Sequence, residues 1–229
     1  MNKLMTFVVL VIGLVSCVFP EAGSAIPVPG TNEATITSDQ LELINNGALS
    51  VFTGHVQLTQ VPYVLTADRM TRLEASGLVE AEGHIIGTWL KSTGEKTTAI
   101  GEQARFDPRT QTTELWQNAK LTHWESATDA IPMVVTAERF IAHHDEQSLE
   151  AQKNVTILRA GMFESHSDAA IYLQNDQLIR LWGDRQTTIQ FQDPQGSGHF
   201  LCDRAQLYLS PRRARLIDHV TGQLFPAHR

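Results

Sequence analysis

The sequence predicts an all-β fold built from about six two-strand repeats. Three observations predict it. A small residue followed by an acid recurs as Ser38-Asp39, Ala67-Asp68, Gly101-Glu102, Ala137-Glu138, Ser167-Asp168 and Cys202-Asp203, the acids 29, 34, 36, 30 and 35 residues apart. A second column follows each acid by about 16 residues and centres on His55, His84, Asn118, Asn154, Asp184 and His219. These polar types tolerate turns and bond nearby backbone. Between the columns apolar residues alternate with period two, and no amphipathic stretch of ten or more residues has helical period.

The first 25 residues read as an export signal. Lys3 supplies the positive charge, Leu4 to Val15 is an uncharged apolar run, and Gly23-Ser24-Ala25 suits cleavage after Ala25. Leu14-Val15-Ser16-Cys17 also resembles a lipobox, in which Cys17 carries lipid. Retention as an uncleaved anchor is the third outcome. All three place the remainder outside the cytoplasm. Residues 26–35, with Pro27, Pro29 and Gly30, form a short flexible leader.

The repeats then occupy residues 36–229. Two positions after each acid stand Leu41, Met70, Ala104, Phe140, Ala170 and Ala205. Four after stand Leu43, Arg72, Phe106, Ala142, Tyr172 and Leu207, with Arg72 the one misfit. After the second column come strands with Val56/Leu58, Ile85 and Val155/Ile157 on one face. Polar stretches such as Asn45-Asn46-Gly47, Glu74 to Gly77 and Asp107-Pro108-Arg109 turn the chain. One unit cannot bury its apolar face alone, but stacked units share a continuous core. Parity adds one expectation. The small residue before each acid and the apolar residue two after it are three apart, so a flat strand points them to opposite faces. Both face inward only if the backbone bends or bulges at the acid. The acid therefore marks a corner, with its carboxylate outside or bonding local N–H groups.

Composition narrows the function. Lys plus Arg is 18 against 25 Asp plus Glu, a net charge of −7. That balance disfavours nucleic acid, whose phosphates need a basic surface. Two cysteines make neither a disulfide framework nor a four-thiolate zinc site. The run His143-His144-Asp145-Glu146 is the densest ligand-like cluster, yet it reads as a hairpin turn. Adjacent histidines on a strand point opposite ways. No catalytic, cofactor-binding or metal motif stands out. Cys202 occupies the small-residue column and reads as a buried side chain.

The ordered recurrence of Phe52-Thr53-Gly54-His55-Val56, Thr66-Ala67-Asp68-Arg69-Met70, Glu80-Ala81-Glu82-Gly83-His84-Ile85 and Thr136-Ala137-Glu138-Arg139-Phe140 resembles the OstA-like family. Its best-known members are periplasmic lipopolysaccharide-transport proteins of the LptA type, and the resemblance spans roughly residues 36 to 225. It implies an antiparallel β-jellyroll whose interior holds acyl chains, without catalysis or cofactor. It implies assembly through terminal strands, here near Ile36–Leu43 and Arg215–Phe225, with further copies or other transport components. The residues expected to line the lipid site are Leu41, Leu43, Val56, Leu58, Met70, Ile85, Phe106, Phe140, Val155 and Ile157. Two departures stand out. A lipidated Cys17 differs from the soluble bridge protein, whereas the LptC-type relative is tethered by an uncleaved helix. The irregular fifth and sixth repeats, at Arg185 and Gly222, suit a cap. The rival reading is a β-repeat scaffold lipoprotein whose interior is closed and carries no ligand.

Overall fold

The computed structural model describes residues 35–60, 62–90, 94–209 and 212–226. These contain strands and turns and no α-helix. The strands are β1 (Thr35–Thr37), β2 (Gln40–Ile44), β3 (Leu49–Gln60), β4 (Tyr63–Leu73), β5 (Val79–Leu90), β6 (Lys96–Asp107) and β7 (Thr112–Trp124). They continue as β8 (Met133–His143), β9 (Ser148–Arg159), β10 (Phe163–Leu173), β11 (Leu178–Asp193), β12 (Gly196–Leu209), β13 (Arg212–Ile217) and β14 (Thr221–Pro226). All fourteen belong to one antiparallel sheet that follows chain order from β3 to β12. Both β1 and β2 pair with β3, and both β13 and β14 pair with β12.

That pairing restores the six repeats. β1 and β2 are the two halves of one strand interrupted at Ser38-Asp39, and β13 and β14 are halves interrupted at Asp218 to Val220. Ten long strands and two split ones make six antiparallel pairs. The expected turns lie between them, at residues 45–48, 74–76 and 108–111, and residues 144–147 turn β8 into β9.

The corner is present in every repeat. Register shifts fall at one level across the sheet: Thr53/Val56, Glu82/Ile85, Trp116/Ala119, Thr136/Arg139, Ser167/Ala169 and Trp182/Thr187. In β4 the buried positions run Leu65, Ala67, then Met70, so alternation changes phase at Asp68. In β8 they run Val135, Ala137, then Phe140, with the change at Glu138. The second strand of a pair makes room with two successive left-handed residues. These are Gly54-His55, Gly83-His84, Gln117-Asn118, Lys153-Asn154 and Asp218-His219. Left-handed backbone costs most residue types steric strain, and Gly, Asn and His tolerate it best. Hence the second column is restricted in type.

The corners divide the sheet lengthwise into two limbs. Directly opposed residues of an antiparallel sheet share a face, so the register gives the inner rows. In limb one a row runs Leu41, Phe52, Met70, Ala81, Ala104, Leu115, Phe140, Ala151, Ala170, Leu181, Ala205, Leu216. In limb two a row runs Ile36, Leu58, Leu65, Gly87, Ala99, Leu121, Val135, Ile157, Ser165, Ile189, Phe200. Buried members of both limbs form one core cluster. Among the described residues only the other limb is available to cover each inner face. Burying a Val, Leu, Ile, Met or Phe side chain contributes about 1.5–3 kcal/mol, so the fold of the sheet on itself is the main source of its stability.

Candidate functional site

The inner face is the largest feature common to all repeats, and the sequence-predicted residues fall on it. Val56, Leu58, Met70, Ile85, Phe106, Phe140, Val155 and Ile157 are all buried, Phe140 completely. Leu41 and Leu43 stand in register with the same rows, opposite Phe52 and Ser50. They are nevertheless 51% and 62% exposed. Their strand, β2, is the end of the sheet, and no described strand lies beyond it to complete the cover.

The inner face is layered. Nearest the corner it is mostly apolar: Val56, Ala67, Ile85, Ala119, Ala137, Val155 and Cys202 are all buried, with Ser167 and Thr187 the polar exceptions. Burial raises the Cys202 thiol above its usual range, so this cysteine packs as a small apolar group. At the rim of limb two, farthest from the corner, the row changes character. Tyr63, Trp89, Thr97 and His123 are opposed in turn, with Met133 next to His123. Trp89, Thr97 and His123 are buried, and Thr97 Oγ1 lies 2.7 Å from His123 Nδ1. Arg159, at the end of β9, donates to Glu125 Oε1 at 2.5 Å and approaches Asp129 Oδ2 at 3.4 Å. Burial pushes the Asp129 carboxyl up, but N–H groups of Glu125 and Ile131 and the Arg159 charge outweigh it and hold the group low. Limb one answers with Tyr172. Burial first, then the Glu95 carboxylate, pushes its hydroxyl up to about 12. Glu95 precedes β6 on limb two, so the limbs approach one another at this rim.

Sequence reasoning missed this polar rim. Its members come from different repeats at unrelated positions, so no column announces them. Arg72 did carry a signal, as the misfit of its column. Register with Ser50 and Val79 puts it on the inner face, where its side chain is 21% exposed and donates to Glu74 Oε1 at 3.1 Å.

Outside the corner runs a ladder of acids and their partners. Asp39 and His55, Asp68 and His84, and Asp203 and His219 are each paired at 2.7 Å. Asn154 donates to Glu138 at 2.8 Å. In the fifth repeat Asp184 yields to its neighbour Arg185, whose backbone N–H donates to Asp168 Oδ2 at 2.9 Å and whose guanidinium grips Oδ1. The irregular Arg185 thus supplies the missing partner. Hydrogen bonding to the acid, then its charge, raises each of the three imidazoles above the usual range. No group of three or more metal-ligating side chains occurs among the described residues.

The ends differ from the middle. Leu41 and Leu43 at one end and Leu224 and Phe225 at the other are exposed. Near the second end a cavity of about 340 Å³ opens among Met162, Phe163, Phe191, Gly198 and Phe225. Residues 1–34, which hold the expected signal, Cys17 and all of the expected leader except Thr35, lie outside the described residues.

A search of the curated proteins finds no match. Among solved structures, the chain is similar to LptH, "the LptA homologous periplasmic component of the conserved lipopolysaccharide transport device from Pseudomonas aeruginosa". The two share 15% identity with a TM-score of 0.46, covering 56% of this chain and 94% of that one. Residues 35–148, which hold the first three and a half repeats, match the family described as "LptA/(LptD N-terminal domain) LPS transport protein". Over those residues the chain matches the family of LptA and the LptD N-terminal domain, the OstA-like lipopolysaccharide-transport proteins that its repeat resembles.

Proposed function

We propose that the chain is an exported, non-enzymatic carrier that holds the acyl chains of lipopolysaccharide between its limbs and bridges them from inner to outer membrane. One observation carries the reading. The inner face is mostly apolar beside the corner and gains polar groups, set among aromatic residues, at the rim, which matches an amphiphile lying with its tails inward and its head outward. Each square ångström of tail removed from water contributes about 25 cal/mol. Rim groups such as Tyr172, His123 and Arg72 then meet the polar head. The chain ends support passage along the same face, because Leu41 and Leu43 expose the row at one end and Leu224 and Phe225 expose apolar surface at the other.

Both ends also present strand edges. Among the described residues, β1 and β2 pair only with β3, and β13 and β14 only with β12. Unpaired edges accept further strands. The first carries Asp39 and Glu42 and the last Arg213 and Arg215, so opposite charge favours joining a last edge to a first. Such head-to-tail contact extends into filaments when its rotation does not close. The partner at either edge is another copy or another transport component.

Photo-crosslinkers at Leu41, Met70 and Phe140, offered lipopolysaccharide, test the carrier. Adducts at Leu41 and at one buried site are expected. Silence at all three positions in a folded protein overturns the carrier and leaves the second reading, a scaffold. The dense packing of Phe140, Val56 and Cys202, each at most 1% exposed, favours that alternative. Mass spectrometry of the mature N-terminus separates cleavage after Ala25 from lipid on Cys17. An unprocessed chain would mark an anchor.

A further inference from the structure

The outer face of limb one holds a feature that the interior does not explain. Strands β6 to β9 enclose a cleft of about 550 Å³ there. Its floor is one outward row in which Gln103, Trp116, Arg139 and Gln152 are opposed in turn. Its upper wall is made by the knuckles of two neighbouring corners, where Gln117-Asn118 and Lys153-Asn154 are left-handed. Trp116 is half-buried, although outward rows of this sheet are otherwise largely polar. Trp116 Nε1 donates to Gln103 Oε1 at 2.5 Å, which fixes the ring.

From this arrangement we infer a saccharide-binding cleft centred on Trp116, separate from the interior and independent of the carrier reading. A pyranose has an apolar face of C–H bonds and a rim of hydroxyls. The indole face suits the first. The amide of Gln152, the guanidinium of Arg139 and the carboxylates of Glu114 and Glu138 suit the second, offering donors and acceptors around the ring. Charge selects the class of sugar. Arg139 pairs with Glu114, Lys153 with Glu138 at 3.4 Å, and Arg105 reaches Asp107 at 4.0 Å. Each cation already faces a carboxylate, so the cleft offers no surplus charge to a phosphate and fits a neutral oligosaccharide. The pairs also hold the side chains in place before a ligand arrives, which lowers the entropy lost on binding.

The test titrates the full mature chain with chitohexaose and, separately, maltohexaose, by calorimetry and saturation-transfer NMR. The two arms distinguish an N-acetylhexosamine source from a hexose source. Binding of at least one near 1 mM is expected, with about a tenfold loss in Trp116→Ala, a smaller loss in Gln152→Ala, and near-native affinity in Trp116→Phe. Trp182→Phe, on the same outer row but outside the cleft, leaves affinity unchanged. Should Trp116→Ala not fold, Trp116→Leu, which removes the aromatic face but keeps apolar bulk, and Gln152→Ala carry the test. Failure of folded wild-type protein to bind either sugar at 10-fold this concentration, or wild-type affinity in Gln152→Ala and in the Ala or Leu variant of Trp116, overturns the cleft. Crosslinking at Met70 is unaffected in either case, so the carrier stands or falls separately.

Discussion

In four of the six repeats the first-strand acid reaches a His or Asn 16 residues later: Asp39 to His55, Asp68 to His84, Glu138 to Asn154 and Asp203 to His219. The rim, five residues away along each strand, has no such rule. Trp89, Thr97, His123 and Arg159 each enter from a different strand: Trp89 stacks by Tyr63, Thr97 and His123 bond to each other, and Arg159 pairs with Glu125. The corner is a backbone requirement repeated with the fold. The rim is a set of individual side chains, and individuality in a repeat marks what the fold alone does not demand.

The largest effect comes from truncating the core that both regions share. Phe140→Ala is expected to cost about 3–5 kcal/mol in chemical denaturation, because a fully buried ring leaves a cavity. Leu41→Ala, in the same row but 51% exposed at the end of the sheet, is expected to change stability by less than about 0.5 kcal/mol. Equal losses would mean that the end of the row is covered as well as its middle.

That pair also shows what was legible in the sequence. The all-β repeat, the corner at the acid and the inward columns are set by local chemistry: period two, a phase change, and residues that tolerate left-handed backbone. Each leaves a mark within a few positions. The exposure of Leu41 and Leu43 depends on which strand ends the sheet, a property of the whole assembly. The rim depends on residues 94–95 and 125–132 coming together, as the Gly94 backbone against Ala127 shows. The Trp116 cleft depends on two corners standing side by side across β8. None of these has a signature at fixed spacing.

Arg159 sharpens the rim. Its side chain is 21% exposed, and it faces Glu125 and Asp129. Arg159→Met leaves two carboxylates without their cation and is expected to cost about 1–3 kcal/mol, below the fully buried case because water still reaches the site. Adding Glu125→Gln and Asp129→Asn should recover most of the loss, since the three act as one network. Additive losses in the triple variant would show that the groups are independent. At the corner the equivalent single change is Gly83→Ala. Its φ is +75°, and a Cβ there runs into the Asp68 carboxylate. A loss of about 1–2 kcal/mol is expected, whereas Gly47→Ala, with open space around its Cβ, meets only the strain of its φ of +87°. If both cost the same, the acid moves aside and the corner is softer than its repetition suggests.

The smallest effect separates the histidine repeats from the fifth one. His55, His84 and His219 have raised pKa values because an acid bonds to each. The folded state then binds more protons than the unfolded chain around neutrality. The stabilisation is complete below the ordinary histidine value of about 6.5 and is lost as pH rises through the raised value. Asp168 behaves oppositely, since hydrogen bonds from the Arg185 backbone and side chain and the Arg185 charge lower it. Its contribution is present above the usual carboxylate value and disappears only as pH falls through the lowered one. All four pairs are exposed, so each effect is small and weakens with salt. The denaturation midpoint should therefore fall between pH 5.5 and 8.5 in the wild type. The change should flatten in the triple variant His55→Asn, His84→Asn, His219→Asn, whose asparagines already serve this column at Asn118 and Asn154. A triple variant with an undiminished pH slope would place the titration elsewhere and reduce the ladder to backbone geometry alone.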